Sequence, residues 1–373
     1  MRKRKYIISG GGTGGHIFPA LSIANEIRRR DPQADILFVG AKGRMEEEKV
    51  PAAGYEIFTL PVKGLERKRL HKNIAIIYRL VKSLFSVRKV IKDFAPDIAI
   101  GVGGYASAPT LIMANLLGVP TLVQEQNSYA GVTNKIVGRR AKKVCVAYKG
   151  MERFFPEERI ILTGNPIRQY LFEVGRHATE AYEYFKLRSD RKTILVIGGS
   201  LGARTINESV SNALQELSRR TDIQIIWQTG KGYITKARAE LSALGDCDNI
   251  SVTDFVYRMD LAFSVADLVV SRAGAGSISE FCLLGLPVIL VPSPNVSEDH
   301  QTKNAMALVN EGAALMVRDC DAREQLVPLL LETIGDQDRR EMLAENISKL
   351  ALKNSARRIV DEIELIISQK ENR

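Results

Sequence analysis

Short apolar runs alternate with longer amphipathic stretches along the whole chain. The short runs suit buried strands and the long stretches suit helices, so the pattern describes repeated βαβ units and a mainly parallel sheet. Strands are predicted at 6–9, 36–39, 57–60, 98–101, 121–124 and 144–147; a second series begins afresh at 193–197 and continues through 223–227, 250–253, 268–271 and 288–291. Each series opens with a strand, a glycine cluster and a helix. The predicted class is therefore α/β, with two Rossmann-like doubly wound parallel-sheet domains. Gly164-Asn165-Pro166 punctuates the junction, which assigns 1–165 to an N-terminal domain and 166–350 to a C-terminal one. The remaining segment, 351–373, has helical periodicity over 355–369 and is expected to pack back on the first domain.

At 373 residues, 45% hydrophobic and 26% charged, the chain exceeds the size at which a single core keeps growing, in keeping with two domains. Cys145, Cys247, Cys282 and Cys320 are far apart without C-x-x-C spacing, and Cys145 and Cys282 fall in apolar runs. That pattern suggests a reducing compartment, with neither a zinc site nor a disulfide frame. The basic residues at 1–5 are followed only by Tyr6-Ile7-Ile8 before glycines intervene, too little for a secretory signal, so the chain is expected to remain in the cell. The uncharged stretch 98–123 has the length of a membrane span, but Gly101, Gly103, Gly104, Pro109, Gly118 and Pro120 divide it into a strand, a glycine loop and a buried helix.

The net charge of +10 is concentrated, because 63–92 carries ten Lys or Arg against one acid, Glu66. Apolar residues from Ile74 to Val87 cover about half the circumference of a helix predicted at 73–92, more than a core stripe requires. An anionic phospholipid surface suits that combination. Nucleic acid is not expected, since the segment has no regular interleaving of aromatic and basic residues for base stacking.

Glycine loops carry the candidate chemistry. Gly10-Gly11-Gly12-Thr13-Gly14-Gly15-His16 stands between the first strand and a helix predicted to begin near Phe18-Pro19. Glycines there admit a phosphate close to backbone N–H groups, and a helix start adds partial positive charge. Gly10, Gly12 and Gly15 satisfy G-x-G-x-x-G, the pattern of a nicotinamide or flavin site. The second strand, however, ends Val39-Gly40-Ala41-Lys42 without the acid that would hold a ribose, and no Gly-Lys-Ser/Thr of a Walker loop is present. Gly101-Val102-Gly103-Gly104-Tyr105 and Glu125-Gln126-Asn127 follow two further strands, so His16, Tyr105 and Asn127 are expected to converge at the carboxyl end of the sheet. In the second half, Gly198-Gly199-Ser200-Leu201-Gly202-Ala203-Arg204 and the stretch from Ser271 to Glu280 place small residues at helix starts, suited to a diphosphate. Glu280 is expected on the first turn of its helix, where it would bind a ribose diol or simply complement the helix dipole.

GGTGGHIFPA, GVGGYASAP, EQN with GVTNK shortly after, GNPIR, GGSLGAR, SRAGAGSISE, GLPVILVP and Gln301-x-x-Asn304-Ala305 occur in this order, over nearly the whole chain. In this the sequence resembles the MurG-type UDP-GlcNAc:lipid glycosyltransferases. The resemblance implies a GT-B fold, whose two domains face a central cleft, and an inverting transfer without a cofactor. It implies UDP-GlcNAc as donor and the 4-hydroxyl of a MurNAc-pentapeptide on undecaprenyl diphosphate as acceptor. Peripheral attachment to the cytoplasmic face of the cell membrane follows, with other cell-wall synthesis or division proteins as partners.

Carried over position by position, the resemblance implies that Thr13, Gly14 and Gly15 lie against the substrate diphosphates and that His16 is the general base. Asn127 and Gln301 would touch the GlcNAc hydroxyls; Arg168 and Ser200 would face UDP; the backbone of Val256 would read the uracil edge. Ala275, Gly276, Ser277, Ile278 and Ser279 would line the sugar and phosphate, and Glu280 would hold the ribose. Gly276-Ser277 replaces a bulkier Leu-Thr pair and His300 stands where a second amide is common, departures that bear on the sugar contacts. Asp246-Cys247-Asp248, Asp319-Cys320-Asp321 and Asp336-Gln337-Asp338 have the Asp-x-Asp form that binds metal in glycosyltransferases of another fold; they read as solvated turns, and no metal is expected. A nicotinamide oxidoreductase and a non-catalytic nucleotide-sugar-binding membrane protein remain as rival readings.

Overall fold

The structure, a computed structural model, describes residues 3–62, 73–167 and 169–371, the side chains of 73–81, 169, 172 and 297 excepted. The chain folds as two compact units, Met1–Ile167 with Leu352–Arg373, and Arg168–Ala351. In the first, β1 (Lys5–Ser9), β2 (Asp35–Ala41), β3 (Glu56–Leu60), β4 (Ile98–Gly101), β5 (Thr121–Glu125), β6 (Lys143–Val146) and β7 (Ile160–Leu162) form a parallel sheet in the order β3-β2-β1-β4-β5-β6-β7. In the second, β8 (Lys192–Ile197), β9 (Ile223–Gln228), β10 (Ile250–Thr253), β11 (Leu268–Ser271), β12 (Val288–Leu290) and β13 (Leu315–Met316) form another, in the order β10-β9-β8-β11-β12-β13. The pattern of apolar runs did not reveal β7 and β13. Both are edge strands, of three and two residues, and half-buried throughout, so no run stands out from its surroundings.

Helices cover both faces of the first sheet, which is why its central strands are continuously apolar rather than alternating. Ile8 and Ile100 pack with Ile17 and Ile23 of the helix Gly14–Arg30 and with Ile359 and Ile363 of the C-terminal helix Ser355–Glu371. Ile7 and Ala99 point the other way, onto Val87 and Ile91 of the helix Asn73–Phe94. Arg30 adds a polar seam, 2.8 Å from Asp361 and 3.1 Å from Glu364. In the second unit, Ile194, Val196 and Trp227 share a core with Ile206, Val210, Leu326 and Leu330. The four cysteines are free, and burial pushes the Cys145 and Cys282 thiols up to about 12.

The stretch 98–123 resolves into β4, a loop, the helix Ser107–Leu116 and the start of β5. Among the described residues no helix is long and apolar enough to cross a membrane. Residues 63–72, which carry five of the ten cations of the basic segment, and the side chains of Ile74 to Val81 lie outside the described residues; beyond them Phe85 is 70% exposed while Val87 is buried.

β1 lies between β2 and β4, and β8 between β9 and β11, so each sheet reverses its winding there. The carboxyl ends of such strands border the crevice where open α/β sheets hold ligands.

Candidate functional site

In the first unit the loops after β1 and β4 press together backbone to backbone. Gly104 adopts φ 87°, and a Cβ there would lie 2.3 Å from the carbonyl oxygen of Gly11, so only glycine permits the approach. The helix begins at Gly14, earlier than predicted: Thr13 caps it in extended conformation at φ −147°, and Pro19 sits inside it rather than opening it. Gly14 and Gly15 therefore belong to the first helical turn, whose amides have no partners within a helix and favour an anion.

The sequence pattern missed Glu46, although it follows β2 closely. This carboxylate is fully buried, accepts the Gly12 N–H through both oxygens at 2.9 and 3.1 Å, and accepts the Ala41 N–H at 2.9 Å. The Gly12 amide thus already serves a carboxylate, whereas Thr13, Gly14 and Gly15, the positions expected to face phosphate, lie beyond it at the helix start.

His16 is the third residue of the helix, and its Nδ1 lies 3.0 Å from the carbonyl oxygen of Gly11 and 3.4 Å from Thr13 Oγ1. A carbonyl can only accept, so Nδ1 carries the proton and Nε2 of the neutral ring keeps its lone pair. Nε2 stands over Gly103: a Cβ there would be 2.9 Å from it and 3.6 Å from Asn134 Nδ2. Burial pushes the imidazole below the ordinary histidine range, opposed by the charge of Glu125, the Gly11 carbonyl and the charge of Glu46.

Glu125, only 1% exposed, gathers the segment that follows β5. It accepts from Asn127 N–H at 3.0 Å, Asn127 Nδ2 at 3.1 Å, Gly131 N–H at 3.0 Å and Asn134 Nδ2 at 2.9 Å. Asn134 Oδ1 is buried without a hydrogen-bond partner among the described residues. The structure therefore brings His16, Gly103, Asn134 and Glu125 together and ties Asn127 to them through Glu125. Tyr105, beside Gly104, is 46% exposed.

In the second unit Ser200 and Leu201 are exposed on the loop after β8, and Val256 is buried in the segment after β10. Gly274, extended at φ −70° and ψ 137°, caps the helix Ala275–Leu284. Ala275, Gly276 and Ser277 thus form its first turn, with Ile278 and Ser279 following. Glu280, the sixth residue, sits one turn later than predicted and is buried. Gln301 is half-buried, its Oε1 accepting the Ser293 N–H at 2.8 Å. Arg168 lies outside the described residues.

Of the Asp-x-Asp triplets, Asp336-Gln337-Asp338 is exposed, as expected of a solvated segment, whereas Asp319 is tied into the fold. Asp319 accepts from Arg272 at 2.5 Å and from Thr205 Oγ1 at 3.0 Å, and Arg272 also donates to the carbonyls of Val291 and Pro292 at 3.0 and 3.2 Å. Asp319, in the segment after β13, therefore links the loop after β11 to the helix that follows the β8 loop. Asp336 caps the helix Gln337–Lys349 by accepting the Arg339 N–H at 2.9 Å.

Comparison with known proteins gives this geometry a context. A Bacteroides fragilis protein named UDP-N-acetylglucosamine–N-acetylmuramyl-(pentapeptide) pyrophosphoryl-undecaprenol N-acetylglucosamine transferase is 57% identical over 359 residues, 96% of this chain and 94% of its own. A Parabacteroides distasonis protein of the same name is 58% identical over 370 residues, 99% of this chain and 100% of its own. The crystal structure of Acinetobacter baumannii MurG matches with a TM-score of 0.77 at 28% identity, over 97% of this chain and 99% of that one. UDP-GlcNAc 2-epimerase from Neisseria meningitidis, at a TM-score of 0.68, 13% identity and coverage of 97% and 99%, shares the fold alone. Residues 6–146 match the glycosyltransferase family 28 N-terminal domain and 193–363 its C-terminal domain. The chain belongs to glycosyltransferase family 28.

Proposed function

We propose that this protein moves GlcNAc from UDP-GlcNAc to the 4-hydroxyl of MurNAc-pentapeptide on undecaprenyl diphosphate, the step from lipid I to lipid II in peptidoglycan synthesis. The observation that carries the reading is the identity of more than half of the residues, along essentially the whole chain, with relatives named for this transfer. A nicotinamide site is disfavoured by Glu46: the acid nearest the end of β2 is buried beneath Gly12 and Ala41 and is not presented to a ribose.

The reaction is a direct displacement. The acceptor oxygen bonds to the anomeric carbon, the bond to UDP breaks with its electron pair leaving on the diphosphate, and the α-linkage inverts to β. His16 Nε2 takes the acceptor's proton, a contribution of about 10² to 10⁴-fold. The Gly11 carbonyl holds the required tautomer, and Glu125 and Glu46 stabilise the imidazolium that forms. Thr13, Gly14 and Gly15 lie against diphosphate, Tyr105 borders the acceptor, and Asn127 and Gln301 touch GlcNAc hydroxyls. Arg168 and Ser200 face UDP, Val256 reads uracil, residues 275–279 line sugar and phosphate, and Glu280 holds the ribose. On this reading 1–165 serves the acceptor and the membrane, and 166–350 serves the nucleotide sugar.

The same proposal places the protein peripherally on the cytoplasmic face of the cell membrane, through the basic segment and apolar side chains such as Phe85, and among cell-wall synthesis and division proteins. Charge reversal at Lys68, Arg69 and Lys72 should then weaken sedimentation with anionic vesicles; unaltered sedimentation would assign the patch another purpose.

The deciding assay incubates the protein with UDP-GlcNAc and the lipid-linked acceptor, without added divalent metal, and follows UDP and disaccharide. Acceptor-dependent product supports the transfer. UDP-GlcNAc binding without product would point to another acceptor or to a binding protein.

A further inference from the structure

Two cations stand stacked on one pair of aromatic rings beside the Glu125 segment. Lys135 Nζ lies 4.1 Å from the ring centre of Tyr129 and 5.0 Å from that of Phe154. The Arg153 guanidinium carbon lies 4.7 Å from the Phe154 ring centre and 6.0 Å from that of Tyr129, while the two rings meet edge to face at 4.7 Å. Arg153 Nη2 donates to the Ser128 carbonyl at 3.0 Å. Among the described residues neither cation has a carboxylate within ion-pair distance.

Each charge gains from the aromatic faces, but two like charges on the same rings repel, and among the described residues no carboxylate within ion-pair distance offsets the repulsion. The rings instead hold two flexible cationic side chains in place before any ligand arrives, which lowers the entropy cost of binding one. The cluster is also built on the site already described. Lys135 follows Asn134, whose amide donates to Glu125, and Arg153 grips the carbonyl of Ser128, next to Asn127.

We propose that Lys135 and Arg153 form an oxyanion subsite for the acceptor, receiving either a carboxylate of its peptide or its diphosphate. The inference rests on the proposed transfer reaction and adds to it a contact made by the acceptor alone. An oxyanion bridging a lysine and an arginine gains charge-assisted hydrogen bonds from both.

The test compares the wild-type protein with Lys135→Met/Arg153→Met and with the charge-retaining Lys135→Arg/Arg153→Lys. KM is measured for UDP-GlcNAc and for detergent-dispersed acceptors with and without the peptide. The double Met variant should raise KM for the full acceptor about 10-fold to 100-fold, with KM for UDP-GlcNAc unchanged and the charge-retaining variant close to wild type. A rise that vanishes with the peptide-free acceptor identifies the peptide carboxylate; one that persists identifies the diphosphate. An unchanged acceptor KM, a rise seen only with vesicles, a shift in both KM values, or equal loss in the charge-retaining variant overturns the subsite. A wild-type protein that releases no UDP with this acceptor would instead sink the transfer reaction, and the subsite with it.

Discussion

The Glu46 carboxylate grips the backbone N–H of Gly12 through both oxygens, at 2.9 and 3.1 Å, from a helix 34 residues further along the chain. It accepts the Ala41 N–H as well, so one buried side chain joins the end of β2 to the loop that leads to His16. Glu46→Ala would orphan both amides, and the expected loss of stability is about 2–5 kcal/mol, read by chemical denaturation. A loss below about 0.5 kcal/mol would mean that water replaces the carboxylate at no cost.

His16→Ala should lower turnover by about 10² to 10⁴-fold while UDP-GlcNAc binding is retained, measured by UDP release and by calorimetric titration. Unchanged turnover removes His16 from the proton transfer.

The pH dependence follows from the burial of His16. A base whose protonated form is disfavoured stays neutral to lower pH, so activity should hold through neutrality and decline only as pH falls past a midpoint below the ordinary 6.5. Glu125 and Glu46 raise this midpoint, so Glu46→Gln should move the acid limb of kcat/KM to still lower pH. A limb that moves upward contradicts the assignment.

Gly104→Ala places a methyl carbon 2.3 Å from the Gly11 carbonyl at φ 87°. The loops after β1 and β4 must separate, and turnover should fall by more than about 10-fold, since displacements of this size disturb reacting geometry. Far-UV circular dichroism should stay unchanged, because both loops lie outside the strands.

Asp319→Asn weakens the tie between Arg272 and Thr205. A destabilisation of about 1–3 kcal/mol is expected from urea unfolding, because Arg272 keeps its carbonyl partners but loses its counter-charge.

Features with a local cause are legible in the order of residues along the chain. The central strands announce themselves because both faces of each sheet are covered and every side chain must be apolar, as at Ile7 and Ile8. The glycine clusters do so because close backbone approach and positive φ, as at Gly104, exclude other residues. Which polar groups meet depends instead on how distant segments pack. Nothing local distinguishes Glu46 from its neighbours Glu47 and Glu48, yet it alone of the three is buried against Gly12. Glu125 and Asn134 find His16 because β4 lies beside β1 and β5 beside β4, and Asp319 finds Arg272 because β12 and β13 follow β11 across the sheet. The edge strands β7 and β13 belong to the same class, being strands chiefly through the hydrogen bonds of a neighbour. Such pairings are decided by strand order, and strand order is settled by the packing of the whole sheet.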